Sequence, residues 1–333
     1  MVDIIIPAYK AQNFIDKLLA SISIQFNVSD IVVTIVNDGY GDYKQNMAHF
    51  PALNIKEISY NENRGCGYAR QYGIDHTSEP FIIFCDADDW LLHSFSVVKL
   101  IEPLVQDDSI NCVWSGIQAI NEGQSIPIDD VDNLDIWLHG KCYRRNFLRQ
   151  HKITFFPNSA GEDVGFNEQV RINASPKEVV KINEYTYAWS DANKENRINT
   201  LKFSLFSSKK GLVDNFLHVL ENARINNISK DKIIEKEISY LLDLYIHYNF
   251  YLSYAEIFNI TEEDLKNFII WSSALYPLIK DYNFNNPDIF NKLLNKTKSF
   301  YDFGGYKYAG NRCTLSDFIK LLSQNTVIKE NSD

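Results

Sequence analysis

The chain has 333 residues, of which 45% are hydrophobic and 23% are charged. A chain of this size and composition can bury the core of one large domain or of two ordinary ones. Its 33 Lys and Arg stand against 43 Asp and Glu, which gives a formal net charge of −10. Because phosphate backbones are bound mainly by Lys and Arg, this balance argues against a broad nucleic-acid-binding surface.

The distribution of cysteines and of apolar residues along the sequence indicates the cellular compartment of the protein. The five cysteines are scattered and contain no C-x-x-C pair, which is typical of reduced core thiols and not of a disulfide or zinc framework. The N-terminal MVDIIIPAYK lacks a charged stretch followed by a long apolar one. No apolar run approaches the roughly 20 residues that span a bilayer. We therefore predict a cytoplasmic protein without a transmembrane segment.

Short apolar runs alternate with segments of helical period in the first part of the chain, a pattern typical of a mostly parallel α/β sheet flanked by helices. Helices are predicted between the first two runs, with Asn13 as the N-cap, and over residues 65–76 and 95–105. The predicted strands are VDIII (2–6), DIVVTIV (30–36), NIKEISY (54–60), EPFIIFC (79–85) and INCVWS (110–115).

The composition shifts after about residue 200 toward helix formers and aromatic residues, as in residues 231–252 and 262–279. The aromatic stripes in these segments are expected to form a helical core. We therefore predict an α/β domain over residues 1–200 and a helical region over residues 201–333.

Polar clusters follow four of the predicted strands. Open α/β sheets bind ligands at the carboxyl ends of their strands, so the four clusters are expected to form one site. The clusters are Pro7-Ala8-Tyr9, Asn37-Asp38-Gly39, residues 61–67 and residues 86–89.

Two of these clusters carry residue types that bind metals and phosphates. Asp86 and Asp88 in FCDADDW could approach one divalent cation such as Mg²⁺ or Mn²⁺, which prefer oxygen ligands. The alternative is an Asx-rich turn that caps the next element. Asn63, Arg64 and Gly65 lie at the start of a predicted helix, where backbone N–H groups and guanidinium groups favour phosphate. Arg70 lies further along that helix and could reach the same place. The alternative for Arg70 is a surface ion pair.

The order and spacing of several sequence blocks resemble the family 2 glycosyltransferases of the GT-A fold, a Rossmann-like α/β architecture. The resemblance covers roughly residues 1–200. The blocks are IIIPAYKAQNFIDKLLASI, VNDG, NENRGCGYARQYGI, FCDADDWL, HGKCYRRNFL and GEDVGFNEQV.

The resemblance implies a donor site for a nucleotide-diphosphate sugar, with UDP as the expected nucleotide. It places Pro7, Ala8, Tyr9 and Asp38 at the base and ribose, and Arg70 near the donor. The family's N-x-G-x-x-x-A-R-N block is matched at Asn63, Gly65, Ala69 and Arg70. The chain departs from the family pattern at Asn37, which replaces the first acid of D-D-G-S, and at Gln71, which replaces an asparagine.

The family resemblance also implies a divalent metal, Mn²⁺ or Mg²⁺, that bridges the donor diphosphate. Asp88 matches the metal ligand, and Asp86 matches a residue that binds the ribose or the metal. The third ligand is left open between His139 and Asp191.

The GED block at residues 161–163 matches the position of the family's catalytic base. An inverting transfer needs a base to take the acceptor proton, and Asp163 resembles that base, with Glu162 as a supporting or acceptor-binding acid. A carboxylate at a helix start is expected to have a lowered pKa because of the helix dipole. The alternative is an N-cap and first-turn acid pair without chemistry.

Two other classes of protein share some of these sequence features. A haloacid-dehalogenase-type phosphotransferase would carry its D-x-D pair after the first strand, where this chain has Pro7-Ala8-Tyr9. A non-catalytic nucleotide-sugar or carbohydrate-binding module could retain the same fold. The acceptor, a glycan or a polyol in our expectation, is not encoded in the matched blocks. Residues 201–333 are expected to shape acceptor choice or self-association into a homo-oligomer.

Overall fold

The computed structural model describes residues 1–121, 124–128, 137–158, 160–190, 194–284, 287–304 and 310–330. The chain divides into two compact units, Met1–Ile198 and Asn199–Asp333. The division lies close to residue 200, where the composition changes.

The described part of the first unit contains one sheet of nine strands, in the order β3-β2-β1-β4-β8-β6-β9-β5, with β7 paired to β6. The strands are β1 Val2–Ala8, β2 Ile31–Asn37, β3 Asn54–Ser59, β4 Phe81–Phe84, β5 Trp90–Leu91, β6 Cys112–Asn121, β7 Gln124–Ile128, β8 Lys141–Arg144 and β9 Val179–Ser190. The five predicted strands are all present. The β1–β4 half is parallel as expected, whereas β8 pairs antiparallel to both β4 and β6, so the sheet as a whole is mixed.

Strand β1 is central because its side chains are apolar on both faces, as expected of a parallel strand covered on both sides. Asp3 is the exception, and it is buried. Its carboxylate accepts a 2.7 Å hydrogen bond from Nη2 of Arg145, which also donates to Thr77 Oγ1. This ion pair lies at the amino-terminal ends of β1 and β4, away from the polar clusters, and has a structural role.

Six helices of the first unit flank the sheet within the described residues. They are α1 Ile15–Ser23, α2 Lys44–Ala48, α3 Cys66–Asp75, α4 Ser96–Gln106, α5 Arg145–Gln150 and α6 Glu162–Asn173. The predicted N-cap at Asn13 is wrong, because α1 begins at Ile15 and no side chain caps it. The N–H groups of Phe14 and Ile15 instead donate to the Ala11 carbonyl, at 2.9 and 3.0 Å. A backbone turn therefore opens this helix.

The remaining described helices are α7 Lys194–Ile225, α8 Lys230–Phe258, α9 Glu262–Ser272, α10 Tyr276–Ile279, α11 Pro287–Gly304 and α12 Leu315–Glu330. Their aromatic stripes form a core, in which Tyr251, Phe268 and Phe318 are fully buried. Thr261 and Asp264 close a capping box at the start of α9. Within the part of the chain that the structure describes, none of the helices combines the length and apolarity needed to cross a bilayer.

Candidate active site

The carboxyl ends of β1, β2 and β4 and the starts of α3 and α6 enclose a cavity of about 450 Å³. All eight residues predicted to bind the donor line it, as do the predicted metal ligand Asp88 and the acid Glu162. Asp163 is not among the lining residues. The lining residues are Pro7, Ala8, Tyr9, Lys10, Ala11, Phe14, Asp38, Asn63, Gly65, Cys66, Arg70, Asp86, Ala87, Asp88 and Glu162.

Asp38 is held at the cavity wall by the register of the sheet. Ala8 of β1 lies opposite Asn37 of β2, and the Asp38 N–H donates to the Ala8 carbonyl at 2.9 Å. The two Asp38 carboxylate oxygens accept the backbone N–H groups of Arg64 and Gly65 at 2.7 and 3.0 Å. Asp38 therefore fixes the loop before α3 in addition to facing the cavity.

The family departure at Asn37 has a local physical explanation. The Asn37 side-chain amide donates to Glu57 Oε1 at 2.7 Å and to the Gly41 carbonyl at 2.8 Å. Its oxygen accepts the Tyr40 N–H at 3.0 Å. An aspartate at this position could not donate and would repel Glu57, so the amide fits this site better than the family's acid.

Arg70 bridges two acids at the centre of the cavity, which excludes the surface ion pair considered from sequence. The side chain is buried, and its two terminal nitrogens bond Asp86 Oδ1 and Glu162 Oε1, each at 2.7 Å. Burial by itself would lower the pKa of Arg70, but Asp86, Cys66 and Glu162 together outweigh burial and raise this pKa well above its usual range. Burial would raise the pKa of Asp86, but Arg70, with His139, holds it well below its usual range. Both groups therefore stay charged.

Three ligand groups cluster beside this pair. Atoms of Asp86, Asp89 and His139 lie within 4.8 Å of one another, and His139 Nε2 is 3.1 Å from Asp86 Oδ2. The oxygens of Asp89 already accept the Tyr187 hydroxyl and the Ser190 N–H, both at 2.7 Å. Asp89 therefore ties β9 to the strand end of β4.

Of the predicted metal-binding pair Asp86 and Asp88, only Asp86 belongs to this cluster. His139, one of the two candidates for a third ligand, belongs to it, while the other candidate, Asp191, lies outside the described residues. Asp88 lines the cavity beside the cluster. Burial raises the pKa of Asp89 to about 7, with Asp86 and Asp88 adding to the rise against an opposing effect of His139. Sequence reasoning missed the roles of Asp89 and Tyr187 because these two residues are 98 positions apart.

The acid pair opens α6 as predicted, but the expected direction of the Asp163 pKa is wrong. Gly161 at the N-cap has φ +76°, which a glycine adopts without strain, and Glu162 and Asp163 form the first turn. Burial and the adjacent Glu162 carboxylate raise the pKa of Asp163 to about 6. Loss of solvent around Asp163 thus outweighs the effect of the helix dipole, which is worth at most about 2 kcal/mol.

Residues 3–160 match the family model described as glycosyl transferase family 2. This stretch, just under half of the chain, is similar to family 2 glycosyltransferases. A curated relative, the putative glycosyltransferase EpsH of Bacillus subtilis (strain 168), is 33% identical over 46% of this chain and 50% of its own length. Another curated relative is matched over 30% of its length. The chain thus spans 30% and 50% of the length of these two relatives.

Two solved structures share the fold at low sequence identity. Residues 1–349 of TarS from S. aureus, in complex with UDP-GlcNAc, superpose with a TM-score of 0.68 and 14% identity, over 99% of this chain and 92% of that one. The mannosyltransferase PcManGT of Pyrobaculum calidifontis, in complex with GDP-Man and Mn²⁺, gives a TM-score of 0.53 and 14% identity, over 98% and 86% of the two chains. These matches confirm the predicted GT-A fold.

Proposed function

We propose that the chain is an inverting glycosyltransferase that moves a sugar from a nucleotide-diphosphate donor, most simply a UDP-sugar, to an acceptor hydroxyl. The observation that carries this proposal is the single cavity in which Arg70, Asp86, Asp88 and Glu162 meet the strand ends of a family 2 domain. The complex of the TarS fragment with UDP-GlcNAc supports a UDP-sugar, whereas that of PcManGT with GDP-Man makes guanine the principal alternative.

The donor nucleotide is assigned to the β1–β2 side of the cavity. Tyr9 is nearly half exposed on the cavity wall, so that its ring can stack on a base. Pro7, Ala8 and Asp38 form the adjoining wall. Asn63 and Gly65 are held close to Asp38 by its hydrogen bonds to the loop before α3, and we assign them to bind the ribose and diphosphate.

A divalent metal, Mn²⁺ or Mg²⁺, fits the donor set. Carboxylate oxygens and one imidazole lie close enough to share an ion, and such groups suit Mn²⁺. We assign Asp86 and Asp88, which line the cavity, as the ligands, with His139 as a third. Asp89 is not among the lining residues and is held by Tyr187 and Ser190, so it is assigned to support the ligands. When bound, such a metal stabilises the negative charge of the departing nucleotide diphosphate.

Asp163 is assigned as the general base. Its carboxylate takes the proton of the acceptor hydroxyl while that oxygen forms a bond to the anomeric carbon. The bond from this carbon to the diphosphate oxygen breaks on the opposite face, which inverts the configuration. A base with a pKa near 6 is ionised at neutral pH and is still a good proton acceptor. Glu162 lines the cavity beside it and is assigned to bind the acceptor.

Metal-dependent nucleotide binding is the first expected result. Calorimetric titration of UDP, GDP, TDP and CMP with Mn²⁺ should show tight binding of one nucleotide, lost with chelator. Asp88→Ala should weaken that binding by about 10- to 100-fold, because a ligand to the metal is removed. The exposed Asp108→Asn should leave it unchanged. Failure of every nucleotide to bind would instead favour the non-catalytic module.

The rate of transfer should depend on the ionisation of Asp163. Because its pKa is raised to about 6, the active ionised form is lost as the pH falls through that value. We expect log kcat/KM to rise with pH by about one unit per pH unit below 6 and to level off above it. Steady-state rates from pH 5 to 8 at saturating Mn²⁺ would test this. A profile flat across that range would contradict the assignment.

The acceptor is proposed to be a glycan or a polyol. Residues 201–333 lie outside the part matched by the family model, which ends at residue 160. We propose that they bind the acceptor or join two copies of the chain.

A further inference from the structure

We infer that Cys66 is a positioning residue that orients the Glu162 carboxylate for glycosyl transfer, an inference that rests on the proposed function. The Cys66 thiol donates a hydrogen bond to Glu162 Oε1, with 2.9 Å between sulfur and oxygen. Arg70 Nη1 donates to the same oxygen at 2.7 Å. Within the described residues, both hydrogen bonds of this carboxylate therefore end on Oε1.

The sulfur of Cys66 acts as a donor because it remains protonated. Burial raises the pKa of the thiol well above its ordinary value, and the Glu162 carboxylate raises it further against the opposing effect of Arg70. A neutral thiol is a small, largely apolar group with a weak donor. It therefore fills the space beside Glu162 and restrains the carboxylate without adding a charge to the cavity.

The first turn of α3 is pressed against the segment that leads into α6, which fixes the distance between Cys66 and Glu162. The Gly67 N–H donates to the Asn158 carbonyl at 3.0 Å. A Cβ at Gly67 would overlap the Phe156 carbonyl oxygen and would lie 3.1 Å from Glu162 Cβ. Only a glycine permits this approach, so the two helix starts are held in one arrangement.

This arrangement leaves one oxygen of Glu162 for substrate. Cys66 and Glu162 both line the cavity, and Oε1 is restrained by the two donors from α3. Oε2 can then accept from a hydroxyl of the acceptor. Without the thiol, Glu162 would depend on Arg70, which also bonds Asp86. The carboxylate would then rotate more freely, and the acceptor hydroxyl would be held less well for attack.

Substitutions at Cys66 distinguish two roles of its side chain, which are to orient the Glu162 carboxylate by a hydrogen bond and to fill the space beside it. Cys66→Ala should lower kcat/KM for transfer by about three- to tenfold, the effect of one neutral hydrogen bond, and Cys66→Ser should restore most of it because a hydroxyl also donates. The nucleotide Kd should stay within about twofold in both variants. Cys313→Ala, in the second unit, is the matched control and should be unchanged.

The outcomes distinguish this inference from the proposed function. Transfer by Cys66→Ala at the wild-type rate, or equal losses in the Ala and Ser variants with equal losses of Tm, would overturn the positioning role. Absence of transfer by the wild-type protein with every nucleotide-sugar tested would overturn the proposed function instead.

A second measurement needs no activity. The infrared S–H stretching band that disappears in Cys66→Ser should move to higher frequency in Glu162→Ala, because the thiol then loses its acceptor. An unmoved band would show that Cys66 does not donate to Glu162 and would overturn the inference even if transfer were never observed.

Discussion

Replacing Asp163 with Asn is expected to lower kcat for glycosyl transfer by roughly 10²- to 10⁴-fold, the usual contribution of a general base. The amide cannot take the acceptor proton, and the substitution preserves the size of a half-buried side chain at the start of α6. Nucleotide binding in the presence of Mn²⁺ should stay within about twofold of wild type, because Asp163 does not line the cavity that is assigned to the donor. Steady-state transfer and calorimetric titration on the same preparation would measure both quantities.

A matched control for Asp163→Asn is Asp30→Asn, at an exposed aspartate remote from the cavity. It should change neither quantity. Sugar transfer by Asp163→Asn at the wild-type rate would show that Asp163 is not the general base. That role would then be assigned to Glu162, the acid of this pair that lines the cavity. Parallel loss of transfer and of nucleotide binding would show that Asp163 supports the donor site instead.

Replacing Arg70 with Met should both destabilise the first unit and disrupt nucleotide binding. The variant leaves the Asp86 and Glu162 carboxylates without their buried partner, and breaking such a pair costs about 3–5 kcal/mol of unfolding free energy. For a unit of this size, Tm should fall by roughly 6–20 °C. Arg70→Lys should be intermediate, since one ammonium cannot reproduce the two-sided geometry of a guanidinium.

Arg145→Met is the control that distinguishes a loss of folding stability from a loss of nucleotide binding. Arg145 is also fully buried and pairs with Asp3 at 2.7 Å, but at the opposite end of the strands from the cavity. It should lose stability to a similar extent, yet bind nucleotide normally at temperatures where it remains folded. Equal losses of nucleotide binding in the two folded variants would contradict the assignment of Arg70 to the donor site. Thermal unfolding monitored with and without nucleotide would supply both readouts.

The cavity lining shows how much of the site can be predicted from local sequence patterns. Apolar runs identified the strands, and the polar residues that follow them meet because parallel strands end at one edge of the sheet. Pro7, Asp38 and Asp86 line one cavity for that reason. The pairing of β8 was not predictable in the same way, because this short strand joins β4 antiparallel from a segment about 60 positions later in the chain.

The pKa of Asp163 was predicted in the wrong direction because burial depends on the whole fold. The helix dipole at the start of α6 is a local feature and predicts a lowered pKa for Asp163, whereas desolvation by the surrounding chain raises it to about 6. The predicted N-cap at Asn13 failed for a related reason, since the choice between a side-chain cap and a backbone turn to Ala11 depends on how the chain leaves β1.

The family blocks, the first strands and the residues at their ends could be predicted from the sequence, because apolar periodicity and strand-end chemistry are local properties. Which of these residues touch depends on the folded chain. The bonds of Glu162 to Cys66 and Arg70, and of Asp89 to Tyr187, join positions more than 90 residues apart. No spacing rule encodes such contacts, since they arise where separate strands and helices end around one cavity.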